Sequence, residues 1–154
     1  MASSVFEVKV RCWLVLCAGM TYSDISEQSF KMSYFENFMK ANKAYVDLHG
    51  TAHLPINPKT KVAIVTCMDS RLHVAQALGL ALGDAHILRN AGGRVTEDMI
   101  RSLVISQQQL GTREIVVLHH TDCGAQTFKN EDFTAYLHKE LGVDVSDQDV
   151  LPLT

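Results

Sequence analysis

The stretch KVAIVTCMDSR, Lys61 to Arg71, constrains the fold more than any other part of the chain. Val62 to Thr66 are apolar or β-branched without interruption, the composition of a strand covered on both faces. Cys67 stands at the carboxyl end of that strand, and Asp69 and Arg71 follow at alternate positions. A second apolar run, Ile115 to Leu118, ends in the same way, in His120 and Cys123. Two buried strands ending in thiol, imidazole and carboxylate groups predict a polar site at the strand ends, where open α/β sheets gather their ligands.

The rest of the chain supplies the elements such a sheet needs. A helix is expected over residues 33–50, with Ser33 as N-cap, Glu36 as its capping-box partner and Gly50 as its stop. Phe35, Phe38, Met39, Tyr45 and Val46 share one face of it, which should pack on the sheet or on a second subunit. Pro55 and Pro58 then mark a loop. A short helix is expected over Leu72 to Leu78, a short strand over His86 to Leu88, and a turn over Arg89 to Gly93, where two glycines permit positive φ. Thr96 should cap a helix with Glu97 and Asp98 in its first turn and Ile100, Leu103, Val104 and Leu110 on its buried face. Gly111 ends it, the second buried strand follows, and a last helix runs from Asn130 to Leu141 with Gly142 as its stop. The alternation of strands and helices predicts an α/β fold with a parallel β-sheet core flanked by helices and right-handed crossovers. The expected organisation is one domain over residues 1–154: an N-terminal extension at 1–32, the helix at 33–50, and a motif-bearing core at 61–128.

Charge and cysteine usage narrow the function. A net charge of −3 argues against nucleic acid or an anionic membrane as partner. Four cysteines in 154 residues do not make a disulfide scaffold. Two of them lie beside histidine and aspartate, which favours metal ligation in a reducing compartment. Near the N-terminus, Lys9 and Arg11 precede an apolar run from Cys12 to Ala18 that is too short to span a bilayer. It reads as a peripheral strand or an extension, which fits a cytoplasmic protein; organelle targeting is the competing reading.

Neighbouring strands lie about 4.8 Å apart. If the two cysteine-bearing strands are adjacent, Cys67, His120 and Cys123 converge on one point. Two thiolates and one imidazole suit zinc, and three protein ligands leave a fourth position open, as in catalytic sites. H-x-x-C alone is a weak signal, and a lone cysteine after a strand is more often a buried thiol. Their joint placement with C-x-D-x-R is far more specific.

Three motifs, Cys67-Met68-Asp69-Ser70-Arg71, Arg89-Asn90-Ala91-Gly92-Gly93 and His120-Thr121-Asp122-Cys123-Gly124, occur in the order found in the β-class carbonic anhydrases, which the chain resembles over roughly Lys61 to Phe128. The resemblance implies that Cys67, His120 and Cys123 hold zinc, that Asp69 and Arg71 serve the reaction, and that Asn90, Ala91, Gly92 and Gly93 line the substrate pocket. It implies reversible hydration of carbon dioxide to bicarbonate and a proton, and a dimer with its active site near the subunit interface. Zinc brings the pKa of a bound water toward about 7, and two thiolates make it less acidic than on a three-histidine site. Asp69 would accept a hydrogen bond from the nucleophile while Arg71 holds it in a charge-assisted pair. If that pair breaks, Asp69 would itself become a metal ligand in a closed state. Members of the family continue past the last zinc cysteine into a further strand and helix, so the C-terminal part is expected to be shortened and the last strand to carry an exposed edge. Hydrolysis of carbon disulfide or carbonyl sulfide, and a non-catalytic zinc- or bicarbonate-binding role, are the alternatives.

Other candidates have plainer readings. Strand alternation points His119 away from His120, toward a packed core position. His73 and His86 read as surface or packing residues, and Cys12 and Cys17 as plain thiols. Gly92 and Gly93 read as a turn, Asp122 as a residue that orders the His120–Cys123 turn, and Gln107 to Gln109 as helix surface.

Overall fold

Strand β1, Val62–Cys67, is the centre of a three-stranded parallel sheet, between β2, Ala85–Asn90, and β3, Glu114–Leu118. The computed structural model describes residues 34–49 and 54–142. Val62 pairs with Ala85 on one side and Glu114 on the other, and the register runs in step to Cys67 opposite Asn90 and Thr66 opposite Leu118. Every residue of β1 after Val62 is buried, which is why the strand reads as a nearly continuous apolar run. Its polar member, Thr66, donates its hydroxyl to the Leu118 carbonyl at 2.8 Å, so the buried donor is satisfied.

Helix α1, Tyr34–His49, carries its acidic residue Glu36 in the first turn and a Lys43–Asp47 ion pair at 2.9 Å. None of its residues is buried, and Phe38 and Met39 of the expected packing face are exposed. The described residues fall into two compact units divided after His53, with α1 in the first. Ser33 and Gly50, the expected caps, lie outside the described residues, as do the 1–32 extension with Cys12 and Cys17 and the tail after Gly142.

In the second unit, α2 (Val74–Leu78), α3 (Glu97–Gln108) and α4 (Asn130–Leu141) follow the three strands in turn. α2 starts two residues later than expected because the His73 side chain accepts a hydrogen bond from the Gln76 amide at 3.4 Å and caps it. α4 spans the expected residues and stops at Gly142, which has a φ of 63°. β2 is longer than His86 to Leu88: its ladder continues through Arg89 and Asn90, so the turn is confined to Ala91–Gly93. Cross-strand pairing there overrides the turn preference of asparagine.

The buried face of α3 is Met99, Leu103 and Ser106: of the expected Ile100, Leu103, Val104 and Leu110, Leu103 lies on it, Ile100 and Val104 do not, and Leu110 falls beyond the helix, which ends at Gln108. Ile100 and Val104 are each 50% exposed. Met99 and Leu103 pack with Ala63 and Val65 of β1, against which Leu88 also lies; burying such a side chain stabilises by about 1.5–3 kcal/mol. Ser106 takes the third inward position because it has partners there. Its hydroxyl lies 2.7 Å from His86 Nδ1 and 2.9 Å from Thr112 Oγ1. Among the described residues, no helix is long and apolar enough to cross a membrane.

Candidate metal centre

The pairing of β1 with β3 carries three donors to one place. Cys67 ends β1, and His120 and Cys123 follow β3 in a single loop. Both thiols are buried. The donor atoms of Cys67, His120 and Cys123 all lie within 4.8 Å of one another. The two sulfurs are 3.7 Å apart; two thiolates on one tetrahedral zinc, each at about 2.3 Å, stand about 3.8 Å apart. His120 Nδ1 lies 2.9 Å from the Thr121 carbonyl, a contact that places the proton on Nδ1 and leaves the Nε2 lone pair free. Nε2 is a buried side-chain atom with no hydrogen-bond partner among the described residues. An orphaned acceptor beside two thiols is what a metal ligand set looks like, and these residues fit a tetrahedral ion of zinc's type.

The surrounding groups prepare the sulfurs. Burial pushes the Cys67 thiol up, but the neighbouring His120, the backbone amides of Asp69 and Gly92, and Cys123 outweigh it and bring the thiol down to about 7. The Ala125 amide favours the Cys123 thiolate, yet burial and the adjacent Cys67 leave this thiol above its ordinary value. Cys67 also holds His120 above the usual histidine range, with the Thr121 carbonyl and Asp69 adding to the effect. Amide N–H groups aimed at sulfur orient a thiolate ligand and spread its charge.

Asp69 and Arg71 form the polar wall. Asp69 Oδ1 accepts the Arg71 amide at 2.8 Å and Nε at 3.0 Å, and Oδ2 accepts Nη2 at 2.8 Å. These hydrogen bonds hold the Asp69 carboxyl well below the usual carboxylate range. Its Oδ2 lies 3.9 Å from His120 Nε2, so a carboxylate borders the donor cluster. Two contacts were invisible in the sequence motifs. Arg71 also reaches Asp122, through Nη1 to Oδ2 and Nη2 to the carbonyl, both at 2.8 Å. Arg89 donates to the Cys67 carbonyl at 2.8 Å and the Asp69 carbonyl at 2.7 Å, bracing the loop from the neighbouring strand.

The Asn90–Gly93 segment lies against the end of β1. The Asn90 side chain is spent on the Arg94 backbone, accepting its N–H and donating to its carbonyl at 2.8 Å each. Ala91 is exposed and Gly92 and Gly93 are buried. Gly93 has a φ of 65°, and a Cβ there would meet the Cys67 nitrogen and the Thr66 carbonyl carbon at 2.9 Å, so only glycine lets this loop approach the strand. His119 is not in the core. It lies at the surface, with Nε2 3.3 Å from the Gly93 carbonyl, because β3 ends at Leu118 and strand alternation no longer applies to it. His73 and His86 take the capping and packing contacts given above.

Comparison with known proteins agrees with this geometry. The carbonic anhydrase family model matches residues 62–142, just over half of the chain. β-Carbonic anhydrase 1 of Mycobacterium tuberculosis is 56% identical over 90 residues, covering 58% of this chain and 55% of that protein. A carbon disulfide hydrolase of Saccharolobus solfataricus is 48% identical over 90 residues, covering 58% of this chain and 44% of that protein. The chain thus spans about half the length of these curated relatives. A solved carbonic anhydrase from Streptococcus mutans is 80% identical and superposes with a TM-score of 0.75, covering 80% of this chain and 74% of that one. The sheet, the motif-bearing loops and these matches together place the chain in the β-carbonic anhydrase family.

Proposed function

We propose that this chain, holding zinc through Cys67, His120 and Cys123, catalyses the reversible hydration of carbon dioxide to bicarbonate and a proton. One observation carries the reading beyond metal binding: the Asp69 carboxylate, locked by Arg71, stands 3.9 Å from the free nitrogen of His120. A zinc site that only holds a fold together does not need a pinned carboxylate at its border. Bound zinc supplies a hydroxide nucleophile near neutral pH.

The chain's own groups do the rest. Asp69, kept anionic by Arg71, accepts a hydrogen bond from the attacking oxygen and so turns a lone pair toward the substrate carbon. Arg71 keeps the carboxylate from rotating, and Arg89 braces the backbone on which Asp69 stands. The amides of Gly92 and Ala125 restrain the two sulfurs. The Asn90–Gly93 segment forms a wall of the pocket, with Gly93 setting how closely it approaches Cys67. The proton formed leaves to buffer.

The working form in this reading is a homodimer, and the compartment is the reducing cytoplasm, where the two thiols stay available as ligands. Sedimentation of the full-length protein tests the first and cell fractionation the second. The activity is tested by stopped-flow CO2 hydration with zinc-loaded protein from about pH 6.5 to 9, the range in which a zinc-bound water titrates. Proton release above buffer is expected. Stoichiometric zinc with no hydration would leave a non-catalytic zinc protein. The identity to a carbon disulfide hydrolase favours CS2 as the second substrate to assay; faster turnover of CS2 than of CO2 would reverse the assignment.

A further inference from the structure

Arg71 is gripped on two edges, and the second grip comes from a residue that the proposed chemistry leaves idle. Nε and Nη2 hold Asp69, while Nη1 donates to Asp122 Oδ2 and Nη2 also donates to the Asp122 carbonyl, both at 2.8 Å. A guanidinium is planar and rigid, so contacts on two edges fix its orientation as well as its position. Held by Asp69 alone, the arginine and its carboxylate could swing together.

Asp122 is poorly placed to stabilise the fold. Its side chain is 85% exposed and that of Arg71 is 61% exposed, and ion pairs so open contribute little. Its φ is 55°, a left-handed conformation that aspartate and asparagine adopt more readily than other residues with a Cβ. In that conformation its carboxylate and its carbonyl face the same guanidinium. The turn it occupies is also the one that carries His120 and Cys123, so Arg71 latches the loop after β1 to the loop after β3.

We propose that Asp122 is a positioning residue: it orients Arg71 so that Asp69 remains a hydrogen-bond acceptor beside the Cys67–His120–Cys123 cluster and does not join it as a fourth donor. This rests on the carbonic anhydrase reading of the site. With Oδ2 of Asp69 already 3.9 Å from His120 Nε2, a small rotation of an unlatched pair would complete the move.

The test uses the full-length protein loaded with cobalt(II), whose visible spectrum reports its coordination sphere. Asp122→Gly removes the carboxylate, keeps the carbonyl and adopts the positive φ without strain. Asp122→Asn keeps an acceptor oxygen and tolerates the same backbone. Asp122→Gly should bind one equivalent of cobalt with altered visible bands, and adding Asp69→Ala should abolish the alteration. With zinc in place, kcat for CO2 hydration should fall about tenfold with KM little changed. Asp122→Asn should stay near the parent in both readouts. A parent-like spectrum in Asp122→Gly, a shift that survives Asp69→Ala, loss of the metal, or an Asp122→Asn protein as altered as Asp122→Gly would each overturn the proposal. The spectra are recorded without substrate, so a parent protein inactive toward CO2 would remove the function proposed above and leave this test standing.

Discussion

Cys67 and Asp69 sit two positions apart yet answer to different tests. Cys67 is buried with its sulfur 3.7 Å from that of Cys123, so Cys67→Ser should lose zinc and activity together, and a serine variant retaining one equivalent of zinc by elemental analysis would refute the ligand assignment. The Asp69 amide faces the Cys67 sulfur, but its side chain makes no contact that the donor cluster needs in order to close. Asp69→Ala should keep its zinc while CO2 hydration falls by about 10²-fold or more, the scale of losing a positioned acid–base group; near-normal turnover would remove Asp69 from the mechanism. The Asp69–Arg71 pair and the nearness of His120 to Cys123 are legible because each lies within one loop, where spacing alone brings side chains together; Cys67 joins His120 and Cys123 through the pairing of β1 with β3. The second grip on Arg71 was not legible: Asp122 lies 51 residues away, and nothing in C-x-D-x-R points to it. The sequence points to Asp122 as a residue that orders its own turn, but its side chain reaches across to the other loop. Arg89 belongs to the turn expected over Arg89 to Gly93, yet it is a strand residue bracing the carbonyls of Cys67 and Asp69. The amides that face the sulfurs belong to loops whose shape appears only once the sheet has formed.

Elements were most legible where apolar pattern and burial coincide, as in β1, and least where a polar residue is buried. Apolar residues alone point to Ile100 and Val104 on the inward face of α3 and give no sign of Ser106. Positions 99, 103 and 106 have the spacing of one helix face. Ser106 belongs to that face because His86 and Thr112 satisfy its hydroxyl, and partners 20 residues before and six residues after it carry no local signal. Ser106→Ala strands those two partners and should destabilise by about 1–3 kcal/mol, the usual cost of unsatisfied buried groups; urea unfolding that left the midpoint unchanged would show that the chain contributes nothing. The Ala91–Gly93 turn offers a sharper test. Gly93 is a turn glycine, as the paired glycines suggest, but its closeness to β1 has no mark in the sequence. A Cβ at Gly93 would meet β1 backbone atoms at 2.9 Å from a left-handed φ. Backbone atoms of a central strand cannot give way as a flexible side chain can. Gly93→Ala should therefore lose about 1–3 kcal/mol of stability and weaken metal binding with it, because the atoms it strikes belong to Thr66 and Cys67.

For the molecule as a whole, the parallel sheet with its flanking helices follows from the strand–helix alternation, whereas the adjacency of β1 and β3, on which the convergence of Cys67 with His120 and Cys123 depends, is supplied by the sheet order. The role of α1 is not written in its own periodicity, because an aromatic face does not say what it would pack on. A metal held by Cys67 and by the His120–Cys123 loop would tie together segments more than 50 residues apart, so its removal should be felt by the entire second unit. A ligand that binds only the folded state stabilises it by about 4 kcal/mol when free ligand stands a thousandfold above its Kd. Exhaustive chelation should accordingly lower the unfolding midpoint measured by circular dichroism, and zinc should restore it. The pH dependence has a definite sign. Ligation requires both thiols and His120 to be deprotonated, so protons compete with the metal and apparent affinity must fall as pH falls. Cys67, brought down to about 7, competes mainly below neutrality, whereas Cys123, held above its ordinary value, releases a proton when the metal binds near neutrality; His120, also raised, adds to the competition toward acid. The metal's contribution to stability should thus grow as pH rises through about 7 and shrink as it falls. Competition with a chromophoric chelator at about pH 6, 7 and 8 measures this directly. An affinity that stays level or rises toward acid would mean that thiolates do not hold the ion, and the assignment of Cys67 and Cys123 would fall with it.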